Sequence, residues 1–154
     1  MSQVFLCYSH KDEREAAVIR NALLQHGLNV WWDAEVPSGK EWAFELGRAL
    51  EESDGMIVLV SPDALVSDLV RRELLCAISD AKFEGRLFPV IIKKPTSSVP
   101  YLFRFMRVFD ITRGRKRGLK QLAEAVKKKT VRADGGATRL PAANWRRRAA
   151  NTVR

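Results

Sequence analysis

The chain holds only two cysteines and two histidines in 154 residues. Cys7 and Cys76 stand far apart and in no metal-ligand spacing, so neither a disulfide framework nor a zinc cluster has the material to form. Both are expected to be reduced and partly buried. His10 and His26 are separated by a helical pattern, which leaves little for a Ser-His-Asp hydrolase or a histidine metal site, and no metal is expected. No apolar run approaches the roughly 20 residues of a membrane span. The N-terminus enters a strand almost at once, without the basic region, hydrophobic run and cleavage site of a secretory leader, so a cytoplasmic protein is expected. Neither G-x-x-x-x-G-K-[ST] nor G-x-G-x-x-G after the first strand occurs, which excludes ordinary P-loop and Rossmann nucleotide binding.

Acidic residues are also scarce, but in one segment alone. Residues 1–126 carry 18 Lys+Arg against 17 Asp+Glu, a net of +1, whereas residues 127–154 carry 9 basic residues against the single acid Asp134, a net of +8. The overall +9 therefore belongs to the C-terminal segment and does not make the globular part a nucleic-acid binder. That segment, with Lys127-Lys128-Lys129, Gly135-Gly136, Pro141 and Trp145-Arg146-Arg147-Arg148, lacks periodicity and reads as a disordered basic tail. Its charge suits an anionic partner, whether nucleic acid, membrane surface or acidic protein, or simple solubilisation.

What is present is an alternating pattern. Five apolar runs, Val4 to Tyr8, Leu28 to Trp32, Met56 to Val60, Leu87 to Ile92 and Arg107 to Ile111, are separated by segments that read mainly as helix. Val18, Ile19, Ala22 and Leu23 give the first helix an apolar face, and His26-Gly27 marks its end. Phe44, Leu46, Ala49 and Leu50 do the same for the second. A third helix begins after the N-cap Ser67 with Val70, Leu74, Ala77, Ile78 and Ala81 facing inward. Leu119, Leu122, Ala123 and Val126 form a last helix, while the prolines between Pro95 and Phe105 predict an irregular crossover. Strands alternating with helices imply a parallel sheet covered on both faces, an α/β fold in one domain over residues 1–126.

Such sheets bind ligands at their carboxyl edge; in the order 2-1-3-4-5 the chain reverses between the first and third strands. Delivered there are Tyr8, Ser9 and His10, then Asp33 and the loop through Lys40, then Ser61-Pro62 and the third helix with Glu73. Glu73 lies beside that helix's buried stripe with no basic partner in reach, whereas Asp68 has Arg71 and Arg72 one turn on. A response-regulator receiver is disfavoured, because Ser9 and Ser61 stand where it needs acids.

The ordered motifs Val4-Phe5-Leu6-Cys7-Tyr8-Ser9, Gly27-Leu28-Asn29-Val30-Trp31-Trp32-Asp33, Gly39-Lys40-Glu41-Trp42, Ile57-Val58-Leu59-Val60-Ser61-Pro62 and Arg72-Glu73-Leu74 resemble those of Toll/interleukin-receptor (TIR) domains over residues 2 to 126. The resemblance, closest to the bacterial single-domain type, implies a flavodoxin-like five-stranded fold and one of two functions in defence or signalling. One is cleavage of the nicotinamide–ribose bond of NAD, giving linear or cyclic ADP-ribose, switched on by self-association or pairing with other TIR domains. The other is a non-catalytic adaptor or mimic. NAD is then the substrate and no cofactor is expected.

The resemblance places the catalytic carboxylate at Glu73. Tyr8, Trp31 or Trp32 would offer a stacking face, Ser9, Lys40 and Arg72 would meet hydroxyls or phosphates, and Asp33 and Ser61 complete the set of binding residues, with Trp32 the tryptophan assigned to it. Each has a structural reading beside it: Trp31 or Trp32 as core, Lys40 and Arg72 as solvated charges, Asp33 as a strand end, Ser61 as a helix start, His10 as a loop residue. Leu69-Val70 departs from the tryptophan or cysteine that many members carry before the glutamate.

Overall fold

A computed structural model describes residues 2–35, 41–96 and 98–130. Each apolar run is a strand: β1 (Gln3–Cys7), β2 (Asn29–Trp31), β3 (Gly55–Val60), β4 (Leu87–Ile91) and the very short β5 (Phe109–Asp110). They pair in parallel in the order β2-β1-β3-β4-β5, the flavodoxin-like arrangement expected. Pro89 sits inside β4, where a missing N–H would ordinarily break a ladder. It pairs with Val58 of β3, but β5 reaches only Val90 and Ile91, so no β5 residue lies opposite the proline.

Five helices connect and cover the sheet: α1 (Glu13–Gln25), α2 (Trp42–Glu52), α3 (Pro62–Leu65), α4 (Asp68–Ile78) and α5 (Arg115–Thr130). Strand alternation divides the core. Val4, Leu6 and Tyr8, with Ile57 and Leu59, pack under α1 and α5. Phe5 and Cys7, with Met56, Val58 and Val60, pack under α2, α3 and α4. The crossover after β4 is irregular, apart from a 3-10 turn at Tyr101–Phe105.

Helix α1 ends where Gly27 takes φ 85°, which lets Leu28 N donate to Leu23 O at 3.1 Å and closes the carbonyl end before β2. Ser67 caps α4 as expected, its hydroxyl accepting from Val70 N at 3.3 Å.

Several apolar positions differ from expectation. Val18, Phe44 and Ile78 are exposed at 49%, 68% and 41%. In α1 the buried stripe is Ala16, Ile19 and Leu23, and Val18 is rotated away from it by about 100°. In α2 only Ala49 is fully buried, and Phe44 lies on the flank away from it. Helix α4 stops at Ile78, so Ala81 falls in a following 3-10 turn and is exposed. Cys76 is exposed, whereas Cys7 is fully buried. Helix α5 continues through Thr130, which is buried, so Lys127, Lys128 and Lys129 are helical; the tail beyond lies outside the described residues. No helix among the described residues is long and apolar enough to cross a membrane.

Candidate active site

At the carboxyl edge of the sheet, between the ends of β1 and β2 and the first turns of α4, four titratable side chains and a thiol converge. Asp33, just past β2, is 8% exposed. Its carboxylate accepts the Tyr8 hydroxyl at Oδ1, 2.6 Å, and faces His10 Nε2 at Oδ2, 2.7 Å. Both oxygens are thus occupied, and the side chain is fixed from two elements. Tyr8 is held neutral: burial and the bond to Asp33 raise its pKa far above the usual phenol range.

Glu73 is the second carboxyl of this cluster. It is 4% exposed and occupies the buried stripe of α4 with Val70 and Ala77, at helical spacing i, i+3 and i+7. The sequence spacing predicts it beside that stripe; the helix turns it fully inward. Removal from water pushes its pKa up from 4.5 to about 8, with the Asp33 charge adding to the rise and a hydrogen bond from Cys7 opposing it. The Cys7 thiol is in turn raised, by burial first and by Glu73 second. At neutral pH Glu73 is therefore mostly a neutral carboxylic acid. Cys7 is brought here by the odd/even alternation of β1, which sends it to the α4 side.

The remaining expected residues are placed differently. Ser9 is 6% exposed and accepts from Lys11 N at 3.4 Å, starting a 3-10 turn at His10–Asp12. Trp32 is half-buried against the α1 and α5 face, with its ring 6.0 Å from Tyr8 and the Arg20 guanidinium 5.3 Å from its centroid. Its Nε1 is buried without a hydrogen-bond partner among the described residues, an uncommon state for an indole. Trp31 points to the other face and stacks on Phe5 at 5.0 Å. Arg72 is exposed on α4, and Lys40 lies outside the described residues, as does most of the loop from Ala34 to Lys40.

Ser61 is fully buried, and its hydrogen bonds go to Asp12 and Ala64. Its hydroxyl accepts from Ala64 N at 3.0 Å to cap α3 and donates to Asp12 Oδ2. Asp12, 1% exposed, also receives Lys93 Nζ at 3.1 Å. This third buried carboxyl group, which nothing in the sequence singles out, ties the start of α1 to the start of α3 and the end of β4. Ser61 has both its donor and its nearest acceptor direction used within the protein, and this network reads as structural.

An apolar cavity of about 220 Å³ lies between α3, α4 and the Tyr101–Phe105 turn, lined by Val60, Ala64, Val70, Leu74 and Phe103 among others. Glu73 is not part of its wall. The site residues missed from sequence are Cys7 and His10 as partners of the cluster. Strand parity could have found Cys7, because Phe5 and Cys7 must share a face. Nothing local marks His10 as the partner of Asp33, 23 residues away.

Comparison with known proteins bears on the fold. The TIR domain of the Toll-related receptor TRR-2 from Hydra magnipapillata is 21% identical with a TM-score of 0.62, over 79% of this chain and 97% of that one. The TIR domains of the activated Roq1 resistosome, which directly recognises the pathogen effector XopQ, are 24% identical with a TM-score of 0.53, over 85% and 84%. The Clostridium botulinum CMP N-glycosidase BcmB is 20% identical with a TM-score of 0.52, over 79% and 98%. At these identities the likeness establishes the fold. No curated protein matches the chain. The TIR family profile matches residues 4–123, most of the chain. With five parallel strands in the order β2-β1-β3-β4-β5 and that match across them, this chain belongs to the TIR domain family.

Proposed function

We propose that this TIR domain cleaves the bond between nicotinamide and ribose in NAD, with Glu73 as the carboxylate that stabilises the transition state. The observation that carries the reading is the placement of Glu73, a buried carboxyl in the α4 stripe at the sheet's carboxyl edge, beside the Tyr8–Asp33–His10 cluster. Breaking an N-ribosyl bond develops positive charge at the ribose C1′, and a carboxylate in a low-dielectric pocket opposes that charge strongly. The bonding pair leaves with the ring nitrogen, so nicotinamide departs neutral and needs no acid to protonate it. One carboxylate is enough for departure. That an N-glycosidase shares the fold supports this bond class.

Exposed Phe44, Val66, Leu75 and Phe105 favour a second reading, in which the domain acts through partners. The two readings are compatible if self-association activates the site, as the TIR family resemblance suggests; the Roq1 TIR domains occur within an assembly. The deciding experiment incubates the full chain with NAD over a range of protein concentrations and follows free nicotinamide by chromatography, beside Glu73→Ala and Glu73→Gln. Nicotinamide release that rises faster than linearly with concentration and falls by at least about a hundredfold in both variants is expected. Release unchanged in the folded variants overturns the role of Glu73. No release from the unaltered chain at any concentration favours the interaction module.

A further inference from the structure

We infer that His10, oriented by Asp33, is the base that removes the proton from the acceptor in the second half of the reaction. This rests on the proposed NAD cleavage. It concerns the proton that the acceptor loses, a step distinct from the charge stabilisation assigned to Glu73. Once nicotinamide has left with the electron pair of the C1′–N bond, an acceptor oxygen bonds to C1′ and must lose its proton. That acceptor is water in hydrolysis or a hydroxyl of the same molecule in cyclisation.

His10 has the arrangement this step needs. Its Nε2 lies 2.7 Å from Asp33 Oδ2, so the imidazole tautomer that donates its Nε2 proton to that oxygen leaves the Nδ1 lone pair free to take another. No hydrogen bond to Nδ1 occurs among the described residues. Asp33 is itself fixed by the Tyr8 hydroxyl at 2.6 Å, which leaves the imidazole a single anchored direction. The carboxylate is buried at 8% exposure while the imidazole is 62% exposed, so the base meets solvent and its orienting partner does not. After transfer the imidazolium is paired with Asp33 and returns its proton to solvent. Among the other groups at this edge, Tyr8 is held protonated by burial and its bond to Asp33, and Cys7 is fully buried, so neither serves as an exchangeable base.

The test exploits an acceptor that carries no proton. A neutral pyridine such as 3-acetylpyridine attacks C1′ through its ring nitrogen and gives a base-exchanged dinucleotide, whereas water must be deprotonated. The full chain is incubated with NAD and 3-acetylpyridine, and hydrolysis and exchange products are quantified together for the unaltered protein, His10→Ala and His10→Gln. The glutamine amide can still donate to Asp33 but cannot take a proton. The ratio of hydrolysis to exchange is expected to fall at least about tenfold in both variants, and added imidazole should restore it in His10→Ala. A ratio within about twofold of the unaltered protein in His10→Gln, or both reactions falling together, overturns the inference and leaves His10 a structural residue. Absence of both products from the unaltered protein overturns the underlying cleavage reading and this inference with it, an outcome distinct from an unchanged ratio.

Discussion

Glu73 carries opposing demands. Its burial in the α4 stripe lifts its pKa to about 8, while charge stabilisation needs the ionised form. The unfolded carboxyl ionises near 4.5, so between about pH 4.5 and 8 the native state holds a proton that the unfolded state has released. Native stability therefore falls as pH rises through that window and levels off above it. Glu73→Gln keeps the shape and removes the ionisation, so its Tm should match the unaltered protein's near pH 5 and exceed it near pH 9. Thermal denaturation at the two pH values checks this, and equal differences at both would show that Glu73 is not buried as described. Activity moves the other way: kcat/KM for nicotinamide release should climb with pH, pass half its maximum near 8 and level off above that, as the carboxyl ionises in the free protein. A flat profile from pH 5 to 9 would mean that Glu73 acts ionised throughout.

At the scale of elements, α5 approaches the end of β5 closely at Gly118. A Cβ built on Gly118 would come 2.7 Å from Ile111 Cγ2, closer than side chains tolerate, and Ile111 is itself buried at 4% exposure. An alanine ordinarily favours a helix interior over glycine by up to about 1 kcal/mol. Here the overpacking, typically about 1–3 kcal/mol, should outweigh that gain. Gly118→Ala is expected to lower stability in urea denaturation; an increase would show that Ile111 yields easily. The sequence marked α5 correctly from Leu119, Leu122, Ala123 and Val126, all buried. Close approach of a glycine to a strand has no local signature. The same limit explains Phe44 and Val18: helical periodicity offers a broad apolar arc, and the sheet covers only part of it.

For the whole molecule, the boundary between domain and tail follows from burial. Thr130 is 2% exposed, its hydroxyl donates to Val126 O at 2.8 Å, and its methyl would lie 3.5 Å from a Cβ at Gly55, at the start of β3. The last turn of α5 thus closes over the sheet's amino end, and a boundary drawn at residue 126 cuts through packed structure. A chain ending at Thr130 should fold cooperatively, whereas one ending at Val126 should lose at least about 1 kcal/mol of stability. Circular dichroism melts of the two truncations check this; equal Tm values would place the boundary where charge composition put it. The run of lysines misled because it is basic on the surface of a helix and says nothing of the threonine after it.

The sequence alone determined the strand number, the helix alternation and the family motifs, because hydrophobic periodicity is a local property written every two or three to four residues. It also brought Tyr8, Asp33 and Glu73 to one sheet edge, since parallel α/β connections send the ends of β1 and β2 and the start of α4 there. Tertiary structure alone decided which of the delivered groups meet. Ser61 turned to Asp12, Trp32 to the α1 and α5 face, and His10 to Asp33, because each choice depends on side-chain direction and on a partner tens of residues distant. Burial of Glu73 was decided in the same way: a rotation of α4 of less than one residue separates a solvated carboxylate from one enclosed by Cys7, Asp33 and the core.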